Sequence, residues 1–273
     1  MKEICLIGGD ARSFWAAKHF EACGCAVRAV DVPQLAGAAL PERLECAVLP
    51  FPSFQGETVR GAGAIPLAAI AARLTPESTV FGGLLDEKRA ALEARGARVF
   101  DCYGTEPLTA ANAVPTAEGA LTLAMVHSPI TLHGARCLVI GFGRVGKVLA
   151  QKLHALSARV TVGVRKPCDR ALAEAFGLRA DRTGQYLCGL DYDFVFNTAP
   201  AEVFTRAQLA QLPPDCVLIE LASRPHGISE ADCAALGLSY HFAPGLPGKC
   251  APKTAGTLYA QCILDRLKRE ETP

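Results

Sequence analysis

Three glycines at fixed spacing carry the clearest chemistry in this chain of 273 residues. They lie in the run Gly141-Phe142-Gly143-Arg144-Val145-Gly146. The run directly follows the apolar stretch CLVI (137–140) and opens a segment in which Val145, Leu149 and Leu153 recur every four residues. Strand, glycine turn and helix in that order make a cradle for a dinucleotide. The first glycine permits the tight turn, the second lets a pyrophosphate approach the backbone, and the third lets helix and strand pack closely. The free N–H groups of the helix start then face the phosphates. The next strand, RVTVGV (159–164), runs into Arg165 and Lys166, and no acid follows until Asp169. An acid at that strand end would bind the ribose 2′-hydroxyl of NAD. Arginine instead suits a 2′-phosphate. Val164, Arg165 and Lys166 therefore predict NADP, with NAD as the alternative. Asn197-Thr198-Ala199-Pro200 ends the strand 193–199, at the carboxyl edge where such cofactors lie. Ser223, just past the strand 216–221, falls near the expected nicotinamide end.

A second strand and turn occur at the start of the chain: ICLI (4–7), then Gly8-Gly9-Asp10-Ala11-Arg12. The third glycine is missing here, and Phe14-Trp15 opens the helix. Asp10 and Arg12 are therefore predicted to contact substrate rather than a nucleotide. Neither a GxSxG nucleophile motif nor a cysteine–histidine protease signature is present. The twelve cysteines include no CxxC pair, so no metal site is predicted. Many of them lie inside apolar runs, as Cys5 and Cys137 do, and read as small buried hydrophobes of a reducing compartment.

The elements that would position these residues alternate along the whole chain. Strand-like runs at 4–7, 25–30, 46–50, 78–83 and 97–104 are separated by helical stretches at 13–23, 65–74 and 86–95. A helical run follows at 116–126, with Pro115 and Glu118 placed near its start. The pattern then restarts with strands at 137–140, 159–164, 193–199, 216–221 and 238–244. Alternation of this kind predicts an α/β protein of two Rossmann-like, doubly wound parallel-sheet domains linked by crossing helices. The expected division is a substrate and catalytic domain over 1–127, a cofactor domain over 128–252, and a helix over 253–273 that returns to the first. The boundary is placed near residues 127–132. Half of the residues are hydrophobic, ample for a core. The net charge of +1 argues against a nucleic-acid binder and a membrane-surface protein. The apolar run at the start stops after four residues, which reads as a strand and not a signal peptide. No stretch approaches the roughly 18 apolar residues of a membrane span, so a cytoplasmic protein is expected.

Four segments together resemble the A subunits of dipicolinate synthase: GGDAR (8–12), NAVPTAEGA (112–120), GFGRVGK (141–147) and APGLPGKCAPKTAG (243–256). They keep their order and span nearly the whole chain. The resemblance implies oxidation of dihydrodipicolinate, a cyclic dicarboxylate of the lysine branch, to dipicolinate. It also implies the mother cell of a sporulating bacterium and a flavoprotein-like partner, the B subunit. Self-association is left open. A dicarboxylate calls for cations and hydrogen-bond donors. Arg12, Arg224, Lys249 and Lys253 are the candidate cations. Thr116, Thr254 and the backbone at Gly245 are candidate donors. Candidates for proton transfer are Glu118, His127 at the end of the same helix, and Lys253, with His226 and Asp10 also in view. Two other readings stay open. One is a non-catalytic NADP-binding subunit that supports a flavoprotein. The other is a two-domain dehydrogenase of 2-hydroxy or amino acids.

Overall fold

In the computed structural model, residues 3–61, 63, 65–182, 191–223 and 226–271 are described. The chain divides into two compact units. Unit 1 comprises Met1–Asn112 and Ala251–Pro273, and unit 2 comprises Ala113–Cys250.

Unit 1 begins with β1 (Ile4–Ile7), α1 (Ala11–Ala22), β2 (Val27–Val30) and β3 (Cys46–Val48). A small antiparallel pair, β4 (Phe54–Gln55) and β5 (Thr58–Val59), follows, then α2 (Leu67–Ala71), β6 (Thr79–Gly82), α3 (Arg89–Glu93), β7 (Arg98–Asp101) and the start of the long α4 (Glu106–His127), up to Asn112. Its five-stranded sheet is parallel, in the order β2-β1-β3-β6-β7. Alternate residues of β1 point to opposite faces, as the pleat requires. Ile4 and Leu6 enter a core with Ala16, Phe20, Tyr259 and Ile263. Cys5 and Ile7 enter the other core, with Leu49, Ile70, Leu85 and Leu92.

Unit 2 contains β8 (Arg136–Ile140), α5 (Arg144–Ala155), β9 (Arg159–Val164), α6 (Pro167–Ala175), β10 (Arg179–Arg182) and β11 (Phe194–Asn197). It continues with α7 (Arg206–Leu209), β12 (Val217–Glu220), α8 (Glu230–Leu236), β13 (Ser239–Phe242) and α9 (Leu246–Cys250). The six strands are parallel, in the order β10-β9-β8-β11-β12-β13. That is the strand order of a dinucleotide-binding Rossmann sheet, whereas unit 1 has the order of a flavodoxin-like sheet. The expected α/β class with two doubly wound parallel sheets is the observed one.

Three details depart from the sequence reading. The helix predicted over 116–126 starts at Glu106, ten residues earlier, and Pro115 lies inside it. The buried residues Ala113, Ala117, Ala120, Leu121 and Ala124 keep a helical spacing through the proline. Burial of that stripe outweighs the single hydrogen bond a proline removes. Glu118 is therefore not in a first turn. The change of unit falls inside α4, between Asn112 and Ala113. Strand β10, with the sequence RADR, and the β4–β5 pair escaped the pattern because both are too short or too polar to show alternation.

The last helix, α10 (Pro252–Glu271), belongs to unit 1 and packs along α1. The two backbones nearly touch at Gly256. A Cβ there would lie 2.3 Å from the Arg12 carbonyl oxygen and 2.9 Å from Trp15 Cβ. Gly256→Ala must push α10 off α1, and overpacking of this kind costs about 1–3 kcal/mol. A lowered thermal midpoint, measured by circular dichroism, is the expected result.

Candidate functional site

The glycine turn of unit 2 behaves as its spacing predicts, with a distinct reason at each position. Gly141 has φ +94° and leaves no room for a side chain, since a Cβ would lie 2.5 Å from Thr198 Oγ1. Gly146 sits in the first turns of α5, and a Cβ there would lie 2.1 Å from the Gly141 carbonyl oxygen. Those two glycines serve the fold. Gly143 does not: its φ of −79° suits any residue, and a Cβ would meet nothing within 4 Å. It is the N-cap of α5, with no side-chain cap and no acid in the first turn. The first N–H groups of that helix therefore have no carboxylate of their own, which fits a bound pyrophosphate. Phe142 is buried in the core, and its ring lies under Lys147 Nζ at 5.6 Å. Arg144 is exposed. The buried face of α5 is Gly146, Leu149, Ala150 and Leu153, with Val145 only half-buried at its edge.

The flanking strand ends close the cradle. The Thr198 hydroxyl and backbone N–H both donate to the Ile140 carbonyl at 2.9 Å, joining β11 to β8 where the strand order reverses. Asn197 is fully buried and donates to both oxygens of Glu220, at 2.8 and 3.0 Å. Ala199 and Pro200 follow on the surface side. At the end of β9, Val164 is buried while Arg165 and Lys166 are exposed, and Lys166 occupies the N-cap position of α6 without a side-chain hydrogen bond to the helix.

Glu220 is a residue the sequence reading passed over. It has no exposed surface, and besides Asn197 it accepts from the N–H groups of Ala222, Gly227 and Ile228 at 3.0–3.1 Å. Burial pushes its carboxyl above the ordinary value, and these donors offset only part of that. The carboxylate ties Ala222, Gly227 and Ile228 to the ends of β11 and β12. A single acid closing the apolar strand VLIE was the available signal. Ser223 is exposed on this segment. Arg224 lies outside the described residues.

Unit 1 repeats the strand, turn and helix start with a different filling. Asp10 caps α1 at the position Gly143 holds in α5, and accepts from the Arg12 backbone N–H at 2.9 Å. Its carboxylate also holds the Arg12 guanidinium: Nε to Oδ1 at 2.9 Å and to Oδ2 at 3.2 Å, and Nη2 to Oδ2 at 2.7 Å. Burial works upward on Asp10, but the Arg12 hydrogen bonds and charge win and hold it below the ordinary carboxylate value. A helix start already filled by a carboxylate is closed to a phosphate. Asp10 and Arg12 line a narrow slot with Phe51, Leu108, Asn112 and Tyr259. The slot opens between the ends of β1 and β3, the point of unit 1 where strand order reverses and ligands of open α/β sheets bind. Phe51, Asn112 and Tyr259 were not singled out from sequence, because they meet only through the fold.

The remaining candidates are dispersed. Glu118 lies exposed on α4, paired with Lys152 Nζ at 2.8 Å. His127, nine residues on and about 13 Å along the same helix, stacks on His241 with ring centroids 3.8 Å apart. Burial and the His127 charge lower the His241 pKa. Thr116 is half-buried on α4, and His226 meets Phe242 edge-on at 4.4 Å. Lys249 and Gly245 are exposed in unit 2. Lys253 and Thr254 are exposed at the start of α10, with Lys253 Nζ 5.0 Å from the Trp15 ring centre. Thus Asp10 and Arg12 come together in unit 1, and the glycine turn with Asn197 and Thr198 in unit 2. Glu118 and His127 share neither group.

Among the described residues no group of three or more His, Cys, Asp or Glu is placed to hold a metal. No helix among them is long and apolar enough to cross a membrane. Seven of the eleven described cysteines are buried. Burial pushes the thiols of Cys5, Cys137 and Cys216 up to about 12.

Comparison with known proteins agrees with the geometry. No family model matches the chain. It is 29% identical to the A subunit of dipicolinate synthase from Bacillus subtilis (strain 168), over 98% of this chain and 96% of that one. The crystal structure of the dipicolinate synthase A subunit from Bacillus halodurans aligns over 97% of both chains, with a TM-score of 0.88 and 28% identity. A transhydrogenase from Sinorhizobium meliloti shares the fold, with a TM-score of 0.75 at 16% identity over 98% of this chain and 94% of that one. In sequence and in structure this chain is similar, from end to end, to dipicolinate synthase A subunits.

The open N-cap of α5 has a direct test. Gly143→Asp copies the arrangement of Asp10 and needs no backbone change. The thermal midpoint should hold or rise, since aspartate caps a helix slightly better than glycine. Dinucleotide affinity, followed by nicotinamide fluorescence, should fall at least tenfold because the carboxylate takes the place of the pyrophosphate.

Proposed function

We propose that this chain, given its likeness to dipicolinate synthase A subunits, is an NADP-dependent dehydrogenase that oxidises dihydrodipicolinate to dipicolinate. It would work with a flavoprotein-like B subunit in the mother cell of a sporulating bacterium, drawing on the lysine branch. The observation that carries the reading is the uncapped, unobstructed helix start at Gly143, set on a sheet with the strand order of a dinucleotide-binding domain.

When bound, the dinucleotide supplies a hydride acceptor. The chain's own residues do the rest. The first N–H groups of α5 hold the pyrophosphate, with Phe142, Arg144 and Val145 around the turn. Arg165 and Lys166 receive the 2′-phosphate beyond the end of β9. Asn197 and Thr198 fix the strand ends beneath the cofactor, and Ala199, Pro200 and Ser223 line its far end. Arg12 holds a substrate carboxylate in unit 1. Lys249, Thr254, Thr116, Arg224 and the Gly245 backbone are further proposed contacts. Of the groups proposed for proton transfer, Lys253 lies two residues from Ala255 in the lining of the unit 1 slot, which ranks it ahead of Glu118 and His127. It would accept a proton only in its neutral form, and otherwise serves as a second cation. Gain of aromaticity in the product lightens the demand on any base.

One observation favours a second reading, a cofactor-bearing subunit without turnover of its own. Glu118 is held by Lys152 and His127 is stacked on His241, so neither is free-standing. An assay separates the two. The hydroxy-tetrahydro precursor and NADP are supplied to this chain alone, to the B subunit without it, and to both. Dipicolinate is read by its sensitised lanthanide luminescence. Product from this chain alone, matched by NADPH, is the expected result. Product from the B subunit without this chain would sink the proposal, and product only from the mixture would favour the second reading.

Coenzyme choice is tested at Arg165. Arg165→Asp should weaken NADPH binding by on the order of 2–3 kcal/mol through loss of a charged hydrogen bond, while NADH binding changes little. An unchanged ratio of the two affinities would remove Arg165 from the site.

A further inference from the structure

The geometry points to a division of labour in the unit 1 slot: the outward edge of the Arg12 guanidinium binds one carboxylate of a flat ring acid, and Asp10 is the positioning residue that presents this edge. The inference deepens the proposed function and rests on that reading for the class of ligand.

A guanidinium has five N–H groups in a fixed plane. Asp10 takes the side formed by Nε and one hydrogen of Nη2. Nη1 has no acceptor among the described residues, so the end formed by Nη1 and the second Nη2 hydrogen remains for a ligand. That end matches a carboxylate with two parallel hydrogen bonds. The side chain of Arg12 is only 14% exposed, against 49% for Asp10, so little of the guanidinium is left to water.

Asp10 itself is not free to contact substrate. It caps α1 through the Arg12 backbone N–H, and turning away would uncap the helix and release the arginine together. One carboxylate thus fixes both ends of the Arg12 residue. The Arg12–Asp10 pair is formally neutral, so recognition leans on directed hydrogen bonds more than on net charge. Arg60, whose charge also reaches Asp10, adds a cation nearby.

The walls of the slot select shape. Tyr259 spends its hydroxyl on the Leu49 carbonyl at 2.7 Å and offers only its ring. Phe51 is flanked by Tyr103 and Tyr259, with ring centroids at 5.5 and 5.8 Å. It cannot swing toward Gly83, where a mere Cβ would lie 2.3 Å from its ring. Leu108 completes an apolar side. A narrow slot with aromatic walls and one carboxylate fork takes the edge of a planar acid, and it leaves the rest of the ring outside unit 1.

The opposite role for Asp10, a placeholder that ligand must displace, predicts an opposite sign. Binding of pyridine-2,6-dicarboxylate to the full chain is followed by calorimetry and by Trp15, the single tryptophan, three residues from Arg12 on α1. Pyridine is the control without a carboxylate. Asp10→Ala should weaken binding about tenfold or more. Asp10→Asn keeps the cap and an acceptor, and should recover part of that. Arg12→Lys keeps the charge, loses the fork and should also weaken binding about tenfold. Should Asp10→Ala fail to fold, the last two variants decide alone. In turnover each should raise KM more than it lowers kcat. Tighter binding in Asp10→Ala, or unchanged binding in Arg12→Lys, would overturn the inference. Arg12-dependent binding without product would instead leave it standing and fail the proposed activity.

Discussion

The start of the helix that follows the first strand is the constraint on which both units turn. Four backbone N–H groups at such a start have no partner within the helix. Something must answer them, and the two units answer differently. In unit 1 the Asp10 carboxylate caps α1 and at once anchors Arg12. In unit 2 Gly143 brings no side chain, and nothing crowds the space where one would be. The same supersecondary piece thus holds a cation in one unit and leaves its N–H groups without a side-chain partner in the other. A single residue at the N-cap makes the difference.

Close packing keeps each of these turns in place. Gly146 lets α5 start against the Gly141 carbonyl, and Thr198 bridges β11 to β8 at the reversal of strand order. The buried Glu220, fed by Asn197 and three backbone N–H groups, holds the neighbouring segment. A carboxylate without exposed surface is costly unless its hydrogen bonds are made, and here Asn197 reaches both of its oxygens while the three N–H groups complete the set. In unit 1 the corresponding clamp is steric. Gly256 lets α10 lie on α1 and carries Ala255 and Tyr259 into the slot beside Arg12. The C-terminal helix in this way lines the slot as well as the core.

These features fit the likeness to dipicolinate synthase A subunits, which covers the chain from end to end. A ring dicarboxylate and a dinucleotide make different demands. One needs a planar fork of donors beside flat apolar walls, and the other needs free N–H groups and room. Under the proposed function, the two units would meet those demands separately, each at its own switch point.

Much of this could be read directly from residue order. The strands at 4–7, 137–140 and 159–164 are short apolar runs whose burial on both faces leaves few alternatives, and the glycine spacing at 141, 143 and 146 specifies its turn. Asp10 and Arg12 were visible as chemistry at a strand end, without the reason for their pairing. Tertiary structure decided the rest. Helix α4 passes through Pro115 because a buried stripe on both sides of it outweighs one lost hydrogen bond. Glu118 was thereby moved from a helix start to an exposed ion pair with Lys152. Phe51, Asn112 and Tyr259 come together from distant parts of the chain, and no local pattern records such a meeting. Glu220 shows the same limit from the other side. Its type was plain in the sequence, but its role depends on donors that only the folded strand ends bring into reach.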